Sequence, residues 1–174
     1  IKLEDPNMAF ARDLFIFGCW TGIAFIDIKN LTEDNISMVN GAPWIISKRQ
    51  KTGVPFQIKL LDIPMQIVER YKAFRKDNHL FDIGNLDSIN KRIKKVAAMC
   101  GIKKRVSFHV SRHSWAVLAL EYGMPIESVS KILGHTNITT TQIYAKVTST
   151  KLDHDISVFE NRIKGNLPVM GGMA

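Results

Sequence analysis

Apolar residues crowd positions 8–20, and only Arg12 and Asp13 interrupt them. A run so apolar on every helical face predicts a helix buried on most sides. Thr21-Gly22 breaks it, and a short helix over 25–30 follows. Beyond the polar turn 31–34 the period changes to two. Strands are expected at 36–39, at 44–48 after the Asn40-Gly41 turn, and at 54–61 after Lys51-Thr52-Gly53. Pro55 places the last of these at a sheet edge or at its own first residue. Helical spacing then returns. Pro64 suits the first turn of a helix over 64–74, and the polar segment 75–86 reads as a loop. Asp87 or Ser88 can cap a helix that runs to Cys100 and stops at Gly101. Ser107 can cap a helix over 109–122, stopped by Gly123. Pro125 opens a helix over 126–133 whose Ile126, Val129 and Leu133 form one stripe before Gly134. Asn137 can cap a short helix that carries Tyr144. The last helix places Leu152, Ile156, Phe159 and Ile163 on one face, and the glycine-rich tail 165–174 reads as flexible.

This order predicts an α+β fold, mainly α, with a small three-stranded antiparallel sheet. At 174 residues, 45% hydrophobic and 23% charged, the chain suits one domain with a sizeable core. We divide it into a domain over 1–164 and a tail over 165–174. It begins at Ile1 without a methionine, as expected of a piece of a longer protein. No apolar run approaches the roughly 20 residues that span a bilayer, and no signal-peptide pattern is present. Cys19 and Cys100 read as reduced core thiols rather than a disulfide framework.

Charge changes the picture more than composition does. The net charge is +8, and its placement is uneven. Positions 88–120 contain no acid but include Lys91, Arg92, Lys94, Lys95, Lys103, Lys104, Arg105 and Arg112. Positions 35–61 are likewise free of acids and carry Lys48, Arg49, Lys51 and Lys59. Such faces tolerate a polyanion, although a merely solvated basic face reads the same way.

Candidate chemistry lies in 107–144. His109 and Arg112, three apart, share one face in the first turn of a helix, where free N–H groups already favour an anion. The guanidinium of Arg112 matches phosphate oxygens. His135 leaves a helix end at Leu133-Gly134, and Tyr144 follows nine residues later. His109 and His113 have the i, i+4 spacing of zinc ligands, but HVSRH lacks the glutamate and puts an arginine beside the site. No metal or cofactor is expected. His113 reads as packed or bonded to backbone, Trp115 as core, and Trp44 as lying on the sheet. Taken singly, Tyr144 reads as an ordinary half-buried tyrosine and His135 as a capping residue.

The ordered set His109-x-x-Arg112, Leu133-Gly134-His135 and Tyr144 resembles the catalytic domain of the tyrosine recombinase (integrase) family. Thr21-Gly22-Ile23 and the hairpin with Lys51-Thr52 fit the same family, and the resemblance covers nearly the whole chain. It implies that Tyr144 attacks a phosphodiester of double-stranded DNA, giving a 3′-phosphotyrosine and a free 5′-hydroxyl. Lys51 would be the general acid for the leaving oxygen. Arg112 and His135 would bind the non-bridging oxygens, and His109 would assist proton transfer or bind phosphate. Lys48, Lys91, Arg92, Lys94, Lys95, Lys103, Lys104 and Arg105 would contact the DNA backbone. The resemblance further implies integration or excision of a mobile element in the bacterial cytoplasm, at the nucleoid. It implies a monomer without DNA and a synaptic tetramer on it, with the C-terminal helix 151–163 packing on a neighbour.

One position departs from the family. Three residues after Thr21, where an arginine is usual, stands Ala24. Certain mobile-element integrases, including those of conjugative transposons, share this feature. Arg49 is the expected substitute, since strand alternation would point it the same way as Lys51. Arg12 is the weaker candidate. Two other functions remain open in the sequence: a catalytically impaired DNA-binding domain, and a type IB topoisomerase-like enzyme that only nicks and reseals.

Overall fold

The computed structural model describes residues 1–145 and 149–164. The tail 165–174, expected to be flexible, lies outside them. The first helix, α1 (Pro6–Thr21), is longer than the apolar run. Asp5 starts it, accepting the Asn7 N–H at 2.8 Å, and Gly22 ends it at φ +67°. Its inner face carries Ala11, Leu14, Phe17 and Gly18. Trp20 is 39% exposed, so burial is confined to part of the circumference. The short α2 (Phe25–Lys29) follows.

Strands β1 (Ile36–Val39), β2 (Ala42–Lys48) and β3 (Pro55–Lys59) form an antiparallel sheet in that order. Ile45 pairs with both Ile36 and Ile58. Ile45, Phe56 and Ile58 bury one face, and Pro55 is the first residue of an edge strand, where a missing N–H is tolerated. α3 (Asp62–Tyr71) takes Pro64 in its first turn and runs into a 3₁₀ turn at Lys72–Phe74.

The polar segment before α4 (Leu86–Met99) is a loop, but one tied to the core. Leu80, Phe81 and Ile83 are buried, and Leu80 N–H donates to the Leu31 carbonyl at 2.8 Å. Asn85 caps α4, accepting the Ser88 N–H at 2.8 Å, in place of the expected Asp87 or Ser88. An asparagine one residue ahead of the helix makes that bond with less crowding than a residue already inside the first turn.

α5 (Phe108–Glu121) crosses α1 closely. A methyl group at Gly18 would sit 2.4 Å from Ser111 Oγ, so α1 needs glycine there. Ser107 occupies the cap position without a side-chain bond; Asn90 Oδ1 takes the Phe108 N–H instead, at 2.7 Å. Trp115 is buried and Trp44 half-buried on β2. α6 (Ile126–Leu133) ends at Gly134 with φ +61° and packs on β3. α7 (Thr139–Gln142) begins where Asn137 Oδ1 accepts the Thr139 N–H at 2.9 Å, but it stops short of Tyr144, which lies in the turn after it.

α8 (Ser149–Lys164) leaves its stripe open, with Leu152, Ile156 and Phe159 more than half exposed. Cys19 is partly buried, and its burial pushes the thiol up to about 11. Cys100 is exposed at the end of α4 rather than in the core, because the helix turns its last residues to solvent. Among the described residues no helix is long and apolar enough to cross a membrane.

Candidate functional site

Arg112 projects from the first half of α5 and is 5% exposed. Its Nη1 donates to the Gly22 carbonyl at 2.8 Å, and its Nη2 donates to the Leu133 carbonyl at 2.7 Å. The two glycine-linked helix ends, α1 to Gly22 and α6 to Gly134, thus converge on one guanidinium. Nη2 also lies 3.0 Å from Nε2 of His135. Of the five N–H groups of a guanidinium, these bonds leave the Nε–H and one Nη1–H for an anion. Burial, then the charge of Arg49, holds Arg112 down to about 10. It remains a cation at neutral pH.

His135 follows the left-handed Gly134 and turns back onto Arg112. Its Nδ1 lies 2.8 Å from Thr141 Oγ1. Burial first, then Arg112 and Arg49, pushes its pKa down to about 4, so the imidazole is neutral near pH 7.

Arg49 is where the structure adds most. The alternation of β2 ends at Lys48, and Arg49 closes the hairpin, its carbonyl accepting the Gly53 N–H at 2.8 Å. Its side chain, 15% exposed, folds inward. It pairs with Asp27 and lies so close to Gly134 that a methyl group there would sit 2.7 Å from its Cγ. Lys51, in the same turn, is exposed. The shared strand face expected for Arg49 and Lys51 is therefore absent, because both residues lie in a turn and only Arg49 has a buried carboxylate to bind. Arg12 is engaged elsewhere, with Asp13 at 2.8 Å and the Ile1 carbonyl at 2.7 Å.

Asp27 escaped the sequence reading. It is 3% exposed on α2; one carboxylate oxygen pairs with Arg49, and the other accepts the Gln50 N–H at 2.8 Å. It thereby fixes the hairpin turn that carries Lys51. The available signal was an acid inside the apolar run Phe25-Ile26-Asp27-Ile28. That is the same kind of anomaly that singled out Arg112.

His109 is exposed and, with Arg112, Ala24 and Phe25, lines a pocket of about 260 Å³. Tyr144 is 7% exposed and opens instead on a neighbouring depression of about 730 Å³ lined by Leu120, Met124 and Ile126. Its ring meets that of His113 edge-to-face, with centroids 4.8 Å apart. His113, expected to be packed or bonded to backbone, is exposed and is held by this ring contact. The structure thus gathers Arg112, His135 and Arg49, with His109 at the rim. Lys51 is exposed in the hairpin turn, and Tyr144 lines the neighbouring depression, near enough to Arg112 to act on it electrostatically. Lys91, Lys94 and Lys95 are exposed on α4, as are Lys48, Lys103, Lys104 and Arg105; Arg92 is partly buried and donates to Ser88 Oγ.

Tyrosine recombinase XerD of Listeria innocua is 42% identical over 156 residues, covering 82% of this chain and 52% of its own length. The chain spans about half the length of the curated relatives it matches. In fold it is similar to the XerH site-specific recombinase bound to palindromic difH substrate, a post-cleavage complex. That match has TM-score 0.73 and 19% identity over 92% of this chain and 48% of the other. The Tn1549 transposon integrase in complex with transposon right end DNA superposes with TM-score 0.65 and 18% identity, over 88% and 63% of the two chains. The description of the Phage integrase family matches residues 5–151, which include every residue of the cluster: the chain belongs to the phage integrase family.

Proposed function

We propose that residues 1–164 form the catalytic domain of a site-specific DNA recombinase. In this reading the domain cleaves and rejoins double-stranded DNA through a 3′-phosphotyrosine at Tyr144. One observation carries the proposal. Arg112, packed between the Gly22 and Leu133 carbonyls and beside His135, keeps its Nε–H and one Nη1–H unspent, and the side chain of Arg49 packs where Gly134 leaves it room. Asp27 balances Arg49, whereas no carboxylate among the described residues pairs with Arg112, and a phosphorane with developing negative charge supplies that anion. Arg112 still has donors to give, and Arg49, bound to Asp27 of α2, is the cation this reading uses in place of the one missing at Ala24.

Tyr144 attacks phosphorus, and the 5′ oxygen leaves with a proton from Lys51. The phosphotyrosine keeps the energy of the broken bond, so a 5′-hydroxyl from another strand reverses the step. Arg112, Arg49 and His135 hold the non-bridging oxygens, and His109 at the pocket rim shuttles a proton or adds a phosphate contact. The exposed lysines of α4 and of 103–105 follow the DNA backbone. For this chemistry Tyr144 exchanges its ring contact with His113 for the phosphorus, and the exposed Lys51 extends from its turn to the leaving oxygen. On DNA, α8 packs its stripe on a second copy, as in a synaptic tetramer.

The test uses a duplex nicked near the cleavage position, which traps the covalent product. Wild type forms a protein–DNA adduct that survives denaturation, and Tyr144→Phe forms none. Arg49→Ala lowers the adduct yield at least about a hundredfold, the scale of losing one transition-state charge contact, whereas Arg12→Ala leaves the reaction in place. Absence of any adduct, with Tyr144→Phe behaving as wild type does, reduces the chain to a DNA-binding domain. An unimpaired Arg49→Ala removes Arg49 from the site.

A further inference from the structure

Arg112 is a cation whose nitrogens only donate. Its Nη2 lies 3.0 Å from His135 Nε2, so Nε2 has to offer its lone pair. The proton of the neutral ring then sits on Nδ1, which lies 2.8 Å from Thr141 Oγ1. Thr141 is fully buried, although its neighbours Thr139 and Thr140 are exposed. Its carbonyl also accepts the Tyr144 N–H at 3.0 Å. One residue therefore holds the imidazole by its side chain and the turn bearing the nucleophile by its backbone.

The geometry points to Thr141 as a positioning residue that accepts the Nδ1 proton left on His135 when Arg112 claims Nε2, and that ties the ring to the turn bearing Tyr144. The inference rests on the phosphate-binding role given to His135 above. A hydroxyl both donates and accepts. In the free site it accepts from Nδ1–H while Nε2 accepts from Arg112. When a phosphate oxygen draws Arg112 away, an acceptor at Nε2 would face an acceptor. The hydroxyl then turns to donate to Nδ1; one proton leaves Nδ1 for water and one from water arrives at Nε2. The ring stays neutral, does not rotate, and becomes a donor to phosphate. In the DNA-free site burial and the two neighbouring guanidinium groups hold its pKa at about 4, so the ring begins neutral.

The experiment has two arms. In the first, nitrogen-15 NMR of the histidine rings is recorded on the DNA-free chain near pH 7, with His135→Gln to assign the signal. Wild type shows His135 protonated on Nδ1 with that N–H protected from exchange with water, Thr141→Ser keeps the protection, and Thr141→Val, of equal shape without the hydroxyl, loses it. In the second, Thr141→Val slows adduct formation on the nicked duplex by about 10- to 100-fold, the usual range for losing the partner that orients a functional histidine, and Thr141→Ser restores it. An Nε2-protonated ring in wild type overturns the proposal, as does a Thr141→Val protein whose Nδ1–H stays as protected as in wild type. Should Thr141→Val fail to fold, the wild-type spectrum alone decides. Absence of any adduct from wild type tells against the recombinase reading and leaves the NMR arm to judge Thr141.

Discussion

In the proposed site, Arg49 stands in for the arginine missing at position 24, and Asp27 holds it there. The arginine arrives from the hairpin rather than from α2, and α2 contributes the carboxylate that receives it. Asp27→Asn tests this arrangement. Asparagine keeps the shape and one acceptor for the Gln50 N–H, but it leaves Arg49 beside Arg112 without a counter-charge. Breaking a buried pair from one side costs about 3–5 kcal/mol; with 15% of the Arg49 side chain exposed, the expected loss is about 3 kcal/mol, read by urea unfolding. Unchanged stability would mean that contact with Gly134 anchors Arg49 unaided. Arg112 was legible because a cation inside an apolar helical stretch demands a partner, whereas His109 and His135 stood out only through the ordered set they form with Arg112 and Tyr144. Asp27 was equally anomalous, but its partner stands 22 positions away, across a hairpin. Thr141 was not legible, because three consecutive threonines differ only in which way the short helix turns them.

At the scale of elements, the end of α6 performs the positioning. Gly134 adopts φ +61° so that the chain reverses, the Leu133 carbonyl faces Arg112, and His135 folds back beside it. Its missing side chain also gives Arg49 the space it occupies. Gly134→Ala places a methyl group in the left-handed region, which costs about 1–2 kcal/mol, and pushes it against Arg49 Cγ, which cannot swing away as a side-chain tip would. The expected outcome is unfolding at lower urea by that amount, together with an adduct yield reduced as in Arg49→Ala. Full activity would mean that Arg49 moves aside without consequence. Glycine, proline and the change of period made most elements readable, including the sheet order and the end of α6. The loop before α4 was read as polar and hides Leu80, Phe81 and Ile83, because a loop buries side chains without a period. The reach of α7 was misjudged because a four-residue helix has no pattern to count.

Across the whole molecule, the charge map and the open stripe of α8 describe a chain built to meet other molecules. The basic residues of α4 and 103–105 were legible from the absence of acids alone, since a long acid-free stretch has to display its lysines. The stripe is different: its period announced a buried face, and the described residues leave Leu152, Ile156 and Phe159 exposed. Periodicity says that a face is apolar but not which chain covers it. If a second copy on DNA covers it, replacing Ile156 and Phe159 together with serine removes little from the isolated chain. At 57% and 64% exposure, the change in unfolding free energy stays within about 0.5 kcal/mol per site. The same double variant still forms the Tyr144 adduct on a single nicked duplex, but sedimentation with paired duplexes shows no higher assembly. A stability loss above about 2 kcal/mol, the size of burying such side chains, would assign the stripe to the chain's own core and leave the tetramer to some other surface.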